Sequence, residues 1–421
     1  MSMYELSEST LKFLFLGPLQ FLIPATLLIT TSKKSFLRYV PIPFMVWAAS
    51  QFMNPVLETN YVWANCVGMI SIAAFQAINL LLLNPMDNSD LCHGLALQLK
   101  SFGTRVYRAS RLLLPTRAPN TPWQAKNTPS HPEYFARRGM EIPPRARFLL
   151  RQLTIAGWQY LVLDLIHTLT FQKVAEQENT QPNPELGVLG IDWAKWTEQT
   201  ISSTVAWFIV TRTVVDVYYR FTSIFFVGLG IDSPLDFPPA FGRMADAYTL
   251  RGFWGKFWHQ FHRRLFSALS CFFTRKVLSL PRPSILERYT NIFVVFFCSG
   301  ALHLFLDVAQ AVPARDSGAM LFLCSFPLGI MIEDGVQALW RGKRAFEDKG
   351  DPPLWRRILG FAWVVLWLGV TSPWYFEPIS RRPKAVPLVP FSIVGQIGLS
   401  AVAAIVLIGG VALKLVFEVE V

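Results

Sequence analysis

Apolar residues gather in long runs, and a run of roughly 20 residues is enough to cross a roughly 30 Å hydrocarbon core as a helix. The runs are Leu11 to Thr31, Leu37 to Met53, Tyr61 to Leu83, Leu149 to Phe171, Ile201 to Phe226, Tyr289 to Val312, Gly318 to Trp340, Ile358 to Tyr375 and Pro387 to Leu415. A bilayer satisfies no backbone polar group, so such runs must close their own hydrogen bonds as helices. The pattern predicts an all-α, polytopic transmembrane protein of about eight to nine spanning helices. It leaves no room for a separate soluble domain, so residues 1–421 are expected to form a single membrane-embedded one. The first run is preceded by Glu5 and Glu8, with no cation before Lys12, and should stay as a helix instead of being cleaved as a signal peptide.

The polar stretches set the expected sidedness. Asn84 to Phe148 carries ten Lys or Arg, four Asp or Glu and eight prolines, the pattern of an irregular cytosolic loop. Threading from there puts Lys33 and Lys34, the stretch Asp232 to Arg288 and the stretch Arg341 to Arg357 in the cytosol. The acidic segment Gln172 to Glu198 falls on the lumenal side. Arg381, Arg382 and Lys384 break the rule, so one of the last segments is re-entrant or miscounted. Composition agrees with a membrane protein: 52% of the residues are hydrophobic and 16% charged, with 34 Phe and 14 Trp. In a soluble protein the net charge of +11 would suggest nucleic acid. Here the cations cluster in loops, which fits a membrane surface and an anionic cytosolic ligand, with no nucleic acid. Cys66, Cys92, Cys271, Cys298 and Cys324 show no CxxC or zinc-type spacing, so free thiols and no structural metal are expected.

Two stretches carry candidate chemistry. Ile231 to Ala240 breaks any helix with Pro234, Pro238 and Pro239. Tyr248 to Phe261 then repeats aromatics at Phe253, Trp254, Phe257, Trp258 and Phe261, spacings that predict an amphipathic helix in the membrane interface. A plain surface anchor would explain that face equally well. His259 and His262 lie three apart, on neighbouring faces of one predicted turn, the spacing of some metal pairs. Without further ligands, solvated or ring-packed histidines account for them.

The second stretch is Asn291 to Gln310, NIFVVFFCSGALHLFLDVAQ. Counting from Arg288, His303 lies about 22 Å into the helix, beyond the middle of the core. An ionisable group there is a functional candidate by default, and a neutral imidazole can accept a proton. Asp307 follows at i+4 and can orient the ring. The bland alternative is a histidine satisfied by a neighbouring helix, with Asp307 near the far interface. Glu333 and Asp334 form another buried acidic pair, suited to a structural hydrogen bond or to a wall of the same cavity.

The run Ile231 to Arg264, IDSPLDFPPAFGRMADAYTLRGFWGKFWHQFHRR, is followed about forty residues later by Ser299-Gly300-Ala301-Leu302-His303 and then by IEDGVQ at Ile332 to Gln337. Together they resemble the wax-synthase branch of the membrane-bound O-acyltransferase superfamily, and are closest in character to fungal acetyltransferases of terpenoids and meroterpenoids. The resemblance covers roughly Asp232 to Trp340, the motif-bearing region. It implies that His303 is the catalytic histidine and that His259 holds the Asn or His position after Trp258. Asp307, Trp258 and Glu333 would support them. Lys256, Arg263 and Arg264 would receive the phosphates of acyl-CoA. It further implies acetyl-CoA as co-substrate with no bound cofactor, a lipophilic hydroxylated acceptor from the bilayer, and the endoplasmic reticulum. The rivals are a long-chain wax or sterol ester synthase, a proton-coupled transporter using His303 and Asp307, and an inactive scaffold.

Overall fold

The computed structural model describes residues 8–52, 61–114, 117–171, 201, 204, 206–310, 312–342, 352–380 and 388–419. The acidic segment Gln172 to Glu198, the cluster Arg381, Arg382 and Lys384, and the side chain of Cys66 lie outside the described residues. In chain order the main helices are α1 (Glu8–Thr30), α2 (Pro41–Ser50), α3 (Tyr61–Ile78), α4 (Asn88–Leu95), α5 (Phe102–Leu113) and α6 (Arg145–Ile166). There follow α7 (Arg212–Gly228), α8 (Arg263–Phe272), α9 (Ile285–Ala309), α10 (Ala319–Gly342), α11 (Leu354–Ser380) and α12 (Leu399–Phe417).

The chain forms two compact units, Met1–Lys126 with Gln260–Glu347 and Asn127–His259 with Asp348–Val421. In the first, Leu28 of α1, Met45 of α2, Ala77 of α3, Leu91 of α4 and Leu112 of α5 share one buried cluster. Helices α9 and α10 run antiparallel. Phe296 stacks on Phe326 with centroids 5.6 Å apart, and Arg288 at the start of α9 bonds Asp334 near the end of α10 at 2.7 Å. Ser284 caps α9, its hydroxyl accepting from the Glu287 N–H, one of the donors a helix start leaves unpaired.

In the second unit α6 packs against α7 and α12. The Trp158 indole donates to the Val406 carbonyl at 2.8 Å, beside Gly409, where a Cβ would lie 2.9 Å from the ring. Asp164, fully buried, accepts from the Ile393 and Val394 N–H groups at 2.7 and 2.8 Å and so caps the turn that leads into α12.

Among the described residues, four helical stretches are long and apolar enough to cross a bilayer: Ile285–Ala309, Ala319–Trp340, Leu354–Phe376 and Leu399–Phe417. Val67–Leu83 and Asn88–Leu95, bent by 111°, make a broken fifth. The outward faces are apolar, with Leu407, Ile408 and Leu415 of α12 each 70% exposed or more, as lipid contact requires. The described residues hold four to five such spans where eight to nine are expected. Helix α2 has ten residues, about 15 Å, half a hydrocarbon core. Helices α6 and α7 hold buried charges at Arg151, Asp164 and Asp216.

The predicted interfacial helix is also corrected. A short turn, Leu250–Gly252, passes into a wide π-turn, Phe253–Phe257, and the helix stops there because Trp258 is extended at φ −65° and ψ 146°. The Phe257 carbonyl, which a continuing helix would use, accepts from the Gly242 N–H at 2.8 Å. Only glycine permits that approach, since a Cβ at 242 would lie 2.2 Å from the Lys256 carbonyl oxygen. The aromatic face is buried in protein and not laid on a membrane: Phe253 and Phe257 are 1% exposed.

Candidate active site

His303 lies in the sixth turn of α9, inside the Ser299-Gly300-Ala301-Leu302-His303 sequence. Its Nδ1 is 2.8 Å from the Ser299 carbonyl oxygen, one turn back on the same helix. A carbonyl can only accept, so in the neutral imidazole the proton sits on Nδ1 and the lone pair on Nε2. Gly300 serves the packing. A Cβ there would meet Met320 Sδ at 2.9 Å and Cα at 3.3 Å, so its absence lets α10 lie close against this turn. Asp307 is 1% exposed and accepts the Ser317 hydroxyl at 2.6 Å, while Ser317 Oγ accepts the Ala319 N–H at the start of α10. The Nδ1 edge of the ring is thus oriented by Ser299. Glu333 is buried in α10, and Asp334 accepts from Arg288 and from the Tyr289 hydroxyl at 3.0 Å.

His262 belongs to the same unit as His303 and directly precedes α8, which packs on α9. Its ring lies 5.6 Å from that of Phe266, and Phe266 shares a buried cluster with Ile72, Leu265 and Leu302. The residue is half-buried and its Nδ1 is shielded from solvent. Burial first, and the proximity of His303 second, push this imidazole down to about 3. Arg263 donates to Gln260 Oε1 at 2.8 Å, and Arg264 donates to the Leu112 carbonyl. Burial lowers both guanidiniums, Arg264 to about 10.

His259 closes the other unit. Because Trp258 is extended, His259 and His262 are not successive positions on one helix. The rings of Phe241 and Trp258 hold His259 at centroid distances of 5.8 and 5.5 Å. Trp258, 6% exposed, stacks on Phe253 at 5.7 Å and 18°. Lys256 is 56% exposed and lies 4.0 Å from Asp246. Among the described residues no three His, Cys, Asp or Glu side chains converge as a metal site would need.

Residues 237–325, which contain both histidine motifs, match the model of the membrane bound O-acyl transferase family. The chain is similar to Acetyltransferase pyr8 of Aspergillus fumigatus, 40% identical over 403 residues and covering 94% of each chain. It is 39% identical to Acetyltransferase atnC of Arthrinium sp over 400 residues, 90% of each chain. Acetyltransferase TRI7 of Fusarium sporotrichioides is 35% identical over 364 residues, 84% of this chain and 82% of the relative. The chain belongs to the membrane bound O-acyl transferase family. It is an O-acyltransferase and, with its apolar helices, an integral membrane protein.

One part of this O-acyltransferase was passed over in the sequence. The run Ile201 to Phe226 reads as apolar, yet Arg212, Asp216 and Arg220 recur in it every four residues, on one face of α7. Asp216 accepts two bonds from Arg220, at 2.9 and 2.8 Å, and one from Gln159 at 2.7 Å, while Arg220 also donates to Gln152. Arg212, one turn earlier, lies over the rings of Phe241 at 5.5 Å and Phe257 at 5.9 Å. Three charges at helical spacing within an apolar run were the available signal.

Proposed function

We propose that this acyltransferase moves an acetyl group from acetyl-CoA to a hydroxyl of a lipophilic secondary metabolite of the terpenoid or meroterpenoid class, in the endoplasmic reticulum membrane. The observation that carries the reading is the Nδ1 bond of His303 to the Ser299 carbonyl. It leaves the lone pair on Nε2, as a general base for an unactivated hydroxyl needs. The hydroxyl oxygen attacks the thioester carbon as His303 takes its proton. The carbon–sulfur bond then breaks, and the leaving thiolate recovers that proton to give the ester and free CoA. His259 is assigned to the acyl carbonyl, with Trp258 fixing its ring, and Asp307 and Glu333 to supporting positions. Lys256, the exposed cation, is assigned to the donor's phosphates. The bonds of Arg263 and Arg264 to Gln260 and Leu112 favour a different role for them, holding the chain after His262. The acetyl assignment is supported by relatives that carry the name acetyltransferase.

The test offers radiolabelled acetyl-CoA and palmitoyl-CoA to membranes containing the protein, against a panel of hydroxylated terpenoids, sterols and long alcohols. Acetyl ester on a terpenoid is the expected product. Transfer only from palmitoyl-CoA to sterols or long alcohols would replace the reading with a wax or sterol ester synthase.

A further inference from the structure

We propose that Arg151 and Tyr134 form a binding site for the phosphate of an anionic membrane phospholipid, at the end of the unit where α12 leaves the bilayer. Every residue of the site belongs to one unit, and none is assigned to acyl transfer. Arg151, in the second turn of α6, is 6% exposed, and among the described residues no hydrogen bond or ion pair meets its guanidinium. Its Nε is sealed from solvent, whereas the two terminal nitrogens keep an opening to it. The Tyr134 ring centre lies 5.9 Å from the guanidinium carbon, and the Tyr134 hydroxyl likewise reaches solvent without a partner among the described residues. A guanidinium fork and a phenol side by side, both with donors to give, call for an acceptor that carries several oxygens.

The carboxylates nearby are bonded elsewhere. Asp216 accepts from Arg220 and Gln159, and Glu418 pairs with Arg138 at 2.9 Å and Arg137 at 3.5 Å. Arg138 also covers the Tyr134 ring at 4.0 Å, so that ring already serves a closer cation. A guanidinium buried without an anion is costly, and the site therefore suits one from outside the chain. The surroundings indicate which. Tyr134, Phe148 of α6, Val227 of α7 and Leu413 and Phe417 of α12 share one buried cluster, so three helix ends meet here. On the outer side of α12, Leu415 and Val416 are 76% and 55% exposed, as lipid contact requires, and Glu418 follows directly with its ion pairs. The boundary between lipid and water thus runs past this cluster. Acyl chains can lie along the apolar end of α12 while their phosphate meets the arginine fork in the bidentate way that suits it. Arg145 and Arg147, exposed in the first turn of α6, add to the positive field that draws an anionic headgroup. Acetyl-CoA carries phosphates but no long chain to use that apolar face, which favours the lipid.

The test titrates the purified full-length protein in detergent with water-soluble dioctanoyl phosphatidylinositol, with dioctanoyl phosphatidylcholine and, separately, with CoA, reading Trp fluorescence and the thermal midpoint. Wild type should bind the inositol lipid at least about 10-fold more tightly than the choline lipid. Arg151→Met, which keeps the stem and loses the charge, should weaken binding of the inositol lipid at least about 10-fold, the worth of a charge-assisted pair. Tyr134→Phe, which keeps the ring, should weaken it about 5-fold. Arg147→Gln, which removes an exposed cation outside the site, should stay within about 2-fold of wild type. Without lipid, the midpoint of Arg151→Met should not fall, because a buried charge without a partner is removed. Equal affinity of wild type for the two lipids, or unchanged affinity in Arg151→Met, would overturn the proposal. A lower lipid-free midpoint in Arg151→Met would also overturn it and make Arg151 a structural cation. So would CoA binding that is lost in Arg151→Met while lipid binding is kept, which would make the residue a donor contact. Should Arg151→Met fail to fold, Tyr134→Phe decides, and an affinity within about 2-fold of wild type would remove the site.

Discussion

His303 is fixed by a hydrogen bond to the carbonyl one turn earlier on its own helix, whereas His259 follows an extended Trp258 and is held by rings from separate stretches of chain. The first arrangement is local: once α9 forms, the ring's tautomer follows from backbone geometry. The second is assembled: it needs Gly242 to approach Phe257, the helix to stop, and Phe208, Phe241 and Phe253 to pack around the turn. Disturbance of packing far from the chemistry should therefore reach His259 far more readily than His303.

The sharpest way to break that comparison is to remove a ring from the assembled side. Phe253→Ala deletes a side chain that touches Trp254, Phe257 and Trp258 at centroid distances of 5.4 to 5.7 Å. It should cost about 3–5 kcal/mol, as fully buried Phe to Ala changes do. A clear fall in the thermal midpoint in detergent would bear this out, and an unchanged midpoint would show that the cluster does not hold the turn. A smaller effect should come from His262. Its imidazole is pushed down to about 3 in the folded protein, so between that pH and its ordinary value near 6.5 only the unfolded chain gains the proton. Stability should then be fully present above pH 6.5 and decline as pH falls through that window. His262→Gln should flatten the decline between pH 6.5 and 4.5, measured as thermal midpoint against pH. A slope identical to wild type would show that another group sets it.

The same contrast explains what could be read in advance. The place of His303 within α9 was legible because depth in an apolar run and helical spacing are local properties. The helical class and the packed pair Ile285–Ala309 and Ala319–Trp340 were legible for the same reason. The aromatic turn was misread as a continuous interfacial helix, since spacings of three and four do not reveal that the Phe257 carbonyl is claimed by Gly242. Arg212 was missed because hydropathy averages over a run, hiding charges that pair or lie on rings. The Ser299 carbonyl at i−4 meets His303 Nδ1, and the Ser317 hydroxyl meets the Asp307 carboxylate, contacts that the i+4 spacing of the two residues does not foretell. Spacing places side chains near one another without choosing among partners.

The measurement that bears most directly on the central claim is acyl transfer by His303→Ala beside wild type, at equal amounts of folded protein and with saturating donor. If His303 is the base, kcat should fall about 10²- to 10⁴-fold, the usual worth of a positioned general base, while the thermal midpoint changes little. Transfer that persists in His303→Ala at close to the wild-type rate would contradict the account.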